Sequence, residues 1–207
     1  MIVNTDGTVN NSGVILVRQG TQLVLKSGSK LILRNGSKLR IEEGAKFVIE
    51  EGATVEYYNG TEIVMIGAGS EIVHGGTIKT MDQTTFSIGS ESTTNQKGKY
   101  TISSPNTSFV CDQPAYIYLE GKNIDDPFIT INDGAKLYIQ DQDIIRFRIA
   151  DCQVEMKLGA NIVTEEPVYS YNVRYYSLYN NGGFTMTDEN NFINSHFVNV
   201  PVKANLN

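Results

Sequence analysis

Carboxylates crowd one stretch of this 207-residue chain, between residues 125 and 151. The candidate metal ligands are Asp125, Asp126, Asp141 and Asp143, and Arg146 and Arg148 follow closely. Carboxylate oxygens are the ligands that calcium prefers, and calcium beside a basic side chain could support proton abstraction. Turns between strands also favour Asp, so solvated turns explain the same stretch. The sequence predicts no cofactor, with calcium as the alternative.

The other reactive side chains are few and far apart. The two histidines are His74 and His196, and the alternation of apolar residues places His74 at an inward position,. Cys111 and Cys152 have a spacing that fits no zinc motif, so we expect two buried thiols, with one disulfide as the alternative,. No catalytic triad or phosphate-binding loop stands out, and no catalytic residue is predicted.

Tyrosines crowd a short segment near the C-terminus. They are Tyr169, Tyr171, Tyr175, Tyr176 and Tyr179. Tyrosine rings combine a large apolar area with a polar tip, which suits packing inside a cap. A subunit interface or a platform for stacking sugars is the alternative.

The charge of the chain limits its partners. The net charge is −6, and no cluster of four or more basic residues occurs in the sequence. A nucleic acid or an anionic membrane would therefore lack its main attraction. No apolar run approaches the roughly 18 residues of a membrane span,. The first residues lack the basic and apolar regions of a signal peptide. We expect neither nucleic-acid binding nor membrane insertion.

An eight-residue repeat in the sequence indicates the strands that would position these side chains. Its units begin at Gly20, Gly28, Gly36, Gly44, Gly52, Gly60 and, after one inserted residue, Gly69. The fourth and sixth residues are apolar, as in Leu23 and Leu25, and the residue between them varies. This period of two predicts a short strand with two inward side chains. A helix is excluded, because each glycine would cost it about 1 kcal/mol.

Stacked units bury the apolar face that one unit leaves open, and charges indicate how many units form one coil. A coil of three units, 24 residues, stacks Lys26 on Glu50, Lys38 on Glu62 and Lys46 on Glu71. A coil of two units also matches several charges, but it stacks Arg18 on Arg34. Like charges on neighbouring strands are unfavourable, so the three-unit coil is predicted.

The three-unit coil also aligns valines on the outer surface. Val24, Val48 and Val73 fall on top of each other. Such a ladder is ordinary β-branched stacking or part of a contact surface with another protein.

Four segments are predicted along the chain. Residues 1–19 form an N-terminal cap and first rung, and residues 20–79 form the regular octad solenoid. Residues 80–166 form an irregular continuation, and residues 167–207 form C-terminal strands and a cap rich in Tyr and Asn. The octad returns at Gly134 and partly at Gly159, which favours one solenoid with longer coils over a separate domain.

The run from Gly20 to Gly76 resembles the repeats of secreted right-handed parallel β-helix proteins, which include bacterial surface proteins and tail fibres. The resemblance implies an all-β, single-stranded β-solenoid, but lyases, pectin hydrolases, adhesins and tailspikes share that architecture. Pectin-hydrolase motif fragments occur at residues 4–6, 74–76 and 125–126, in the wrong order. Octads also build intertwined trimers in phage tail needles, which remains an alternative assembly.

We therefore expect a non-enzymatic, extracellular structural or adhesive protein at a cell surface or on a virion. Exposed terminal rungs favour self-association, so a fibre or filament subunit is expected. A glycan or a protein surface is the expected external partner. The alternative is a carbohydrate-active enzyme, a polysaccharide lyase or glycosidase, with its site among the Asp residues of 125–151.

Overall fold

The computed structural model describes residues 2–3, 7–82, 85–88, 98–120, 127–139, 144–150, 153–164, 175–179, 184–186, 192–193 and 204–206. The described residues contain strands and turns and no helix. In chain order the strands are β1 (Ile2–Val3), β2 (Thr8–Asn11), β3 (Val14–Val17), β4 (Gln22–Leu25), β5 (Lys30–Leu33), β6 (Lys38–Ile41), β7 (Lys46–Ile49), β8 (Thr54–Tyr57), β9 (Glu62–Met65), β10 (Glu71–His74), β11 (Thr77–Thr80), β12 (Thr85–Ile88), β13 (Lys99–Ile102), β14 (Thr107–Cys111), β15 (Ala115–Glu120), β16 (Pro127–Ile131), β17 (Lys136–Ile139), β18 (Ile144–Ala150), β19 (Gln153–Met156), β20 (Asn161–Thr164), β21 (Tyr175–Tyr179), β22 (Phe184–Met186), β23 (Phe192–Ile193) and β24 (Ala204–Leu206).

These strands form three parallel sheets. Sheet A has the order β1-β4-β7-β10-β13-β16-β19-β22-β24, sheet B has β2-β5-β8-β11-β14-β17-β20-β23, and sheet C has β3-β6-β9-β12-β15-β18-β21. Except where β22 pairs with β24, each strand pairs with the strand three places away along the chain. One coil is therefore three strands, one from each sheet, and the chain is a β-solenoid.

The register confirms the predicted coil. Leu23 pairs with Phe47, exactly three octads later along the chain, and Phe47 pairs with Ile72, three octads and the one inserted residue later. The two-unit coil is wrong, because β4 pairs with β7 and not with β6. The intertwined trimer is also wrong, because consecutive coils of one chain supply the neighbouring strands of each ladder.

Small residues allow the chain to turn at the corners between sheets. Gly44 has a φ of 64°, and the next residue, Ala45, is fully buried. A Cβ added to Gly69 would lie 3.6 Å from the Cα of Gly44, so the corner glycines stack closely. At another corner the Ser29 hydroxyl donates a hydrogen bond to the carbonyl of Lys26 at 2.6 Å. The positive φ angle explains the glycine at the first position of the octad, and the limited space at the corner explains the small residue at the second position.

Charges on the outer surface stack as predicted. The ion pairs are Lys26–Glu50 at 2.5 Å, Lys38–Glu62 at 2.7 Å and Lys46–Glu71 at 2.7 Å. The Arg34 guanidinium lies 4.7 Å from the ring centroid of Tyr58. The Glu42 carboxylate accepts a hydrogen bond from the backbone amide of Gln19, one coil earlier, at 3.0 Å.

The coils after residue 80 are longer than three octads. Ile72 pairs with Tyr100, and Tyr100 pairs with Ile129, so each of these coils holds several more residues than the regular ones. The register also shifts between Ala115 and Tyr116. Among the described residues of this part, the buried aromatic rings are those of Phe86, Tyr100, Phe109, Phe128 and Phe147. Strands β22, β23 and β24 extend sheets A and B. The segment boundaries and the C-terminal cap stay predictions.

Candidate functional site

The predicted valine ladder lies on the outer face of sheet A. Val24 pairs with Val48, and Val48 with Val73, and each side chain is half-buried. The next residues of the same column are Thr101 and Thr130. The stacking of the valines is confirmed, and their role as a contact surface stays a prediction.

Strand β21 divides the predicted tyrosine cluster. Tyr176 pairs with the buried Phe147, whereas Tyr175 pairs with Arg146 and Tyr179 with Ala150. Tyr175 and Tyr179 therefore occupy register positions that alternate with the position of Tyr176. Tyr169 and Tyr171 lie outside the described residues.

Two further tyrosines precede this cluster on the outer face of sheet C. The Tyr116 side chain is 38% exposed and that of Tyr118 is half-buried. Their ring centroids are 6.2 Å apart, and the ring planes are inclined at 38°. The buried residues Ile117 and Leu119 alternate with them, which fixes the outward direction of both rings,.

Arginines follow these tyrosines in the next coil. Tyr116 pairs with Arg146, and Tyr118 pairs with Arg148. Strand β21 then continues both columns. We use the name Tyr–Arg face for these six aligned strand positions, which are Tyr116, Tyr118, Arg146, Arg148, Tyr175 and Ser177. It places aromatic and cationic residue types in consecutive coils, the two types that recognise sugar rings and anions.

The sequence reasoning missed Tyr116 and Tyr118 as site residues. Their alternation with Ile117 and Leu119 was a usable signal for an outward position,. The alignment of these tyrosines with Arg146 and Arg148 could not be predicted from the alternation, because it requires a coil longer than the three octads of the regular repeat.

The candidate calcium ligands Asp125, Asp126, Asp141 and Asp143 lie outside the described residues. No group of three or more His, Cys, Asp or Glu side chains that could hold a metal ion occurs among the residues that are described. The calcium alternative therefore stays a prediction.

His74 occupies the predicted inward position and is fully buried. Its Nδ1 lies 2.6 Å from the hydroxyl of Tyr100, and its Nε2 has no hydrogen-bond partner. The ring also makes edge contacts with Tyr100 and Phe109. Burial lowers the pKa of His74 to about 3, against a smaller opposing effect of the Gly76 backbone. At neutral pH this histidine is an uncharged core residue, closed to a substrate.

The cysteine prediction is tested at one position. Cys111 is buried and pairs in register with Thr80. Cys152 lies outside the described residues, so the choice between two thiols and a disulfide stays a prediction.

A shortened corner interrupts the surface beside His74. Two residues, Gly75 and Gly76, connect β10 to β11, whereas four residues connect the strands of the preceding coil. The Glu51 carboxylate spans this gap and accepts hydrogen bonds from Ser104 at 2.6 Å and Asn106 at 2.5 Å. These bonds hold the pKa of Glu51 below its usual value. They join coils that are not direct neighbours, so we assign them a structural role.

Comparison with protein-family models, curated proteins and solved structures found no match. Among the described residues, no helix is long and apolar enough to cross a membrane. Function must therefore be inferred from the surface chemistry of the solenoid itself.

Proposed function

We propose that this chain is a non-enzymatic structural or adhesive β-solenoid that works outside the cell or on a virion. Its stacked coils serve as a rigid rod and its outer faces as the binding surface. Self-association into a fibre or appendage is part of the proposal, because parallel strands at the ends of a solenoid can pair with another chain.

The supporting observation is the distribution of chemistry between core and surface. The interior is filled with apolar side chains from sheets A, B and C, and the neutral His74 is sealed among them. The outer faces of the regular coils carry lysines paired with glutamates on the neighbouring coil. Such a surface stabilises stacking and offers extended faces for binding.

Two measurements on the purified chain test this proposal. Incubation with polygalacturonate and alginate, followed by assays for unsaturated sugars and new reducing ends, should give no product with or without calcium. Electron microscopy and mass measurement in solution should show fibres or defined oligomers. Product formation would replace the proposal with a lyase or glycosidase, and a strictly monomeric protein would remove the fibre from it.

A further inference from the structure

We propose that the outer face of sheet A joins two copies of this chain side by side, with their solenoid axes parallel and related by a twofold axis. The partner on this face is thus a second copy of the chain. The inference rests on the self-association in the proposed function, for which it names the surface and the geometry. It depends on three features of the face: the residues of its central column, the charges beside that column, and its size.

Uncharged residues occupy the central column of the outer face of sheet A. From β4 to β16 the column consists of Val24, Val48, Val73, Thr101 and Thr130. The three valines are half-buried, so part of each apolar side chain reaches the surface. The two threonines are almost fully buried, and the hydroxyl of Thr101 donates a hydrogen bond to the Glu71 carboxylate at 2.5 Å. The apolar part of the column that another molecule can cover is therefore the valine ladder.

The equivalent columns of the other two sheets contain charged residues. The central column of sheet B includes Glu56 and Lys79, and that of sheet C includes Arg40. A twofold interface uses the same patch of both copies, so a residue at its axis faces its own counterpart. Each of these three residues would face a like charge there, which is unfavourable. The valines of sheet A would face valines, so sheet A suits a symmetric contact better than sheets B and C.

The charges beside the valine ladder match each other in the parallel arrangement. Lys46 and Glu50 lie on opposite sides of Val48, two positions before it and two after it. A twofold axis parallel to the solenoid brings Lys46 of one copy opposite Glu50 of the other. Within its own chain, Lys46 pairs with Glu71 at 2.7 Å and Glu50 pairs with Lys26 at 2.5 Å. The contact between copies would join these ion pairs into one network.

The coils on either side add no like-charged contact to this arrangement. In the preceding coil the same rotation brings Gln22 opposite Lys26, because these residues flank Val24. In the following coil it brings Glu71 opposite the buried Gly75. The face is therefore complementary to itself in charge over all three coils of the valine ladder.

Antiparallel arrangements fit the same face less well. A perpendicular axis at Val48 would set Lys46 against Lys46 and Glu50 against Glu50, which is unfavourable. Moving that axis by half a coil removes the repulsion but sets Val24 opposite the almost fully buried Thr101. The parallel arrangement alone pairs all three valines with valines and also opposes unlike charges.

Sheet A is large enough for such an interface. Its nine strands give a face about 40 Å long, and the five residues from 22 to 26 span about 15 Å across it,. Two such faces in contact would cover roughly 1,200 Å² together, the lower end of the range for specific interfaces. A dimer that dissociates on dilution is therefore expected.

Sedimentation of the full chain at several concentrations tests the interface. Wild-type protein should form a dimer, and Val48→Glu should raise its dissociation constant at least tenfold, because two carboxylates would face each other. The matched control is Val64→Glu, the same change at the equivalent octad position of sheet C, where the side chain is also half-buried. It should dimerise like wild type. Glu56 occupies this octad position in sheet B, so both variants should fold, as circular dichroism and thermal melting would show.

Carbodiimide cross-linking tests the parallel arrangement. The reagent joins a lysine amine directly to a carboxylate, and mixing isotope-labelled with unlabelled protein lets mass spectrometry identify the links between copies. We expect a link between Lys46 of one copy and Glu50 of the other. Within one extended strand these two residues are about 13 Å apart, so a link inside one chain is disfavoured. A link between copies from Lys46 to Glu71 instead would overturn the parallel arrangement.

The outcomes also separate this inference from the proposed function. A monomeric wild type, or equal loss of the dimer in Val48→Glu and Val64→Glu, would overturn the interface. Fibres one solenoid wide that Val48→Glu leaves unchanged would support the structural function and overturn the interface. Fibres two solenoids wide that Val48→Glu splits would support both. A dimer that releases sugar fragments from a polysaccharide would overturn the non-enzymatic function and leave the interface standing.

Discussion

The two halves of the solenoid share one architecture but align their coils by different chemistry. Residues 7–41 contain six basic and no acidic side chains, whereas residues 42–71 contain seven acidic and one basic. Stacking the second stretch on the first therefore sets unlike charges opposite each other. In the second half the coils differ from one another in length, and buried rings of neighbouring coils pack against each other.

This difference shows two ways of fixing the register of a parallel sheet. A strand that slips by one residue turns its core side chains outward, so burial alone prevents odd slips. In the first half the charge ladder adds a second constraint on the same strands. In the second half Phe109 instead packs against Phe86 at 5.4 Å and Phe147 at 6.1 Å between ring centroids. Packing of buried rings thus adds a second constraint between these coils.

The largest effect is expected at the shortened corner, where the regular coils end. A Cβ at Gly76 would overlap the carbonyl oxygen of Ala53 and lie 2.6 Å from that of Glu50. Both are backbone atoms of the preceding coil, which have little room to move. We expect Gly76→Ala to lower the free energy of unfolding by about 3 kcal/mol or more, measured by urea denaturation.

Gly134→Ala is the matched control in the second half. Gly134 has a φ of 66°, but a Cβ there would meet no atom within 4 Å. Gly134→Ala should lower the free energy of unfolding only by the cost of placing alanine in a left-handed backbone conformation, about 1 kcal/mol. Equal costs at the two glycines would contradict the close stacking described at the shortened corner.

Most of the structure of the regular half could be predicted from the sequence, because every octad places glycine and apolar residues at the same positions. The inward pair Leu23 and Leu25, the corner at Gly44 and the pair Lys26–Glu50 all follow from the octad and a coil of three octads. Local patterns sufficed because each coil copies the one before it.

The Tyr–Arg face could not be predicted in the same way. Pairing Tyr116 with Arg146 depends on how many residues the intervening turns absorb, and those turns do not repeat. The register shift beside Ala115 adds a further displacement that no periodicity encodes. The hydrogen bond of Glu51 with Ser104 likewise depends on a two-residue corner in the coil between them.

An intermediate effect is expected from His74, at the boundary between the halves. Its pKa is about 3 in the folded chain and about 6.5 when unfolded, so below pH 6.5 the unfolded chain binds the extra proton,. The stabilisation is complete above pH 6.5 and is lost as the pH falls toward 3. Between pH 6.5 and 4.5 we expect a loss of about 2.5 kcal/mol from this group, measured by urea denaturation.

The variant His74→Gln provides the reference for this measurement. Glutamine cannot titrate, and its amide can still hydrogen-bond the hydroxyl of Tyr100. The carboxylates of the chain titrate in both proteins, so the difference between the two pH profiles isolates the histidine. Parallel profiles for wild type and variant would show that His74 is not the buried neutral group described.

The smallest effect is expected from the charge ladder, although it distinguishes the two halves most clearly in sequence. Burial raises the pKa of Glu71, but hydrogen bonds from Lys46 and Thr101 outweigh it and hold the pKa below its usual value. A double-mutant cycle of Lys46→Met and Glu71→Gln should give a coupling of about 0.5–1 kcal/mol, reduced in 1 M salt. The pair Lys79–Asp112, at 3.0 Å with a more exposed carboxylate, should give about 0.3 kcal/mol,. A coupling near zero for Lys46 and Glu71 would mean that this ion pair adds nothing to the register that burial already sets.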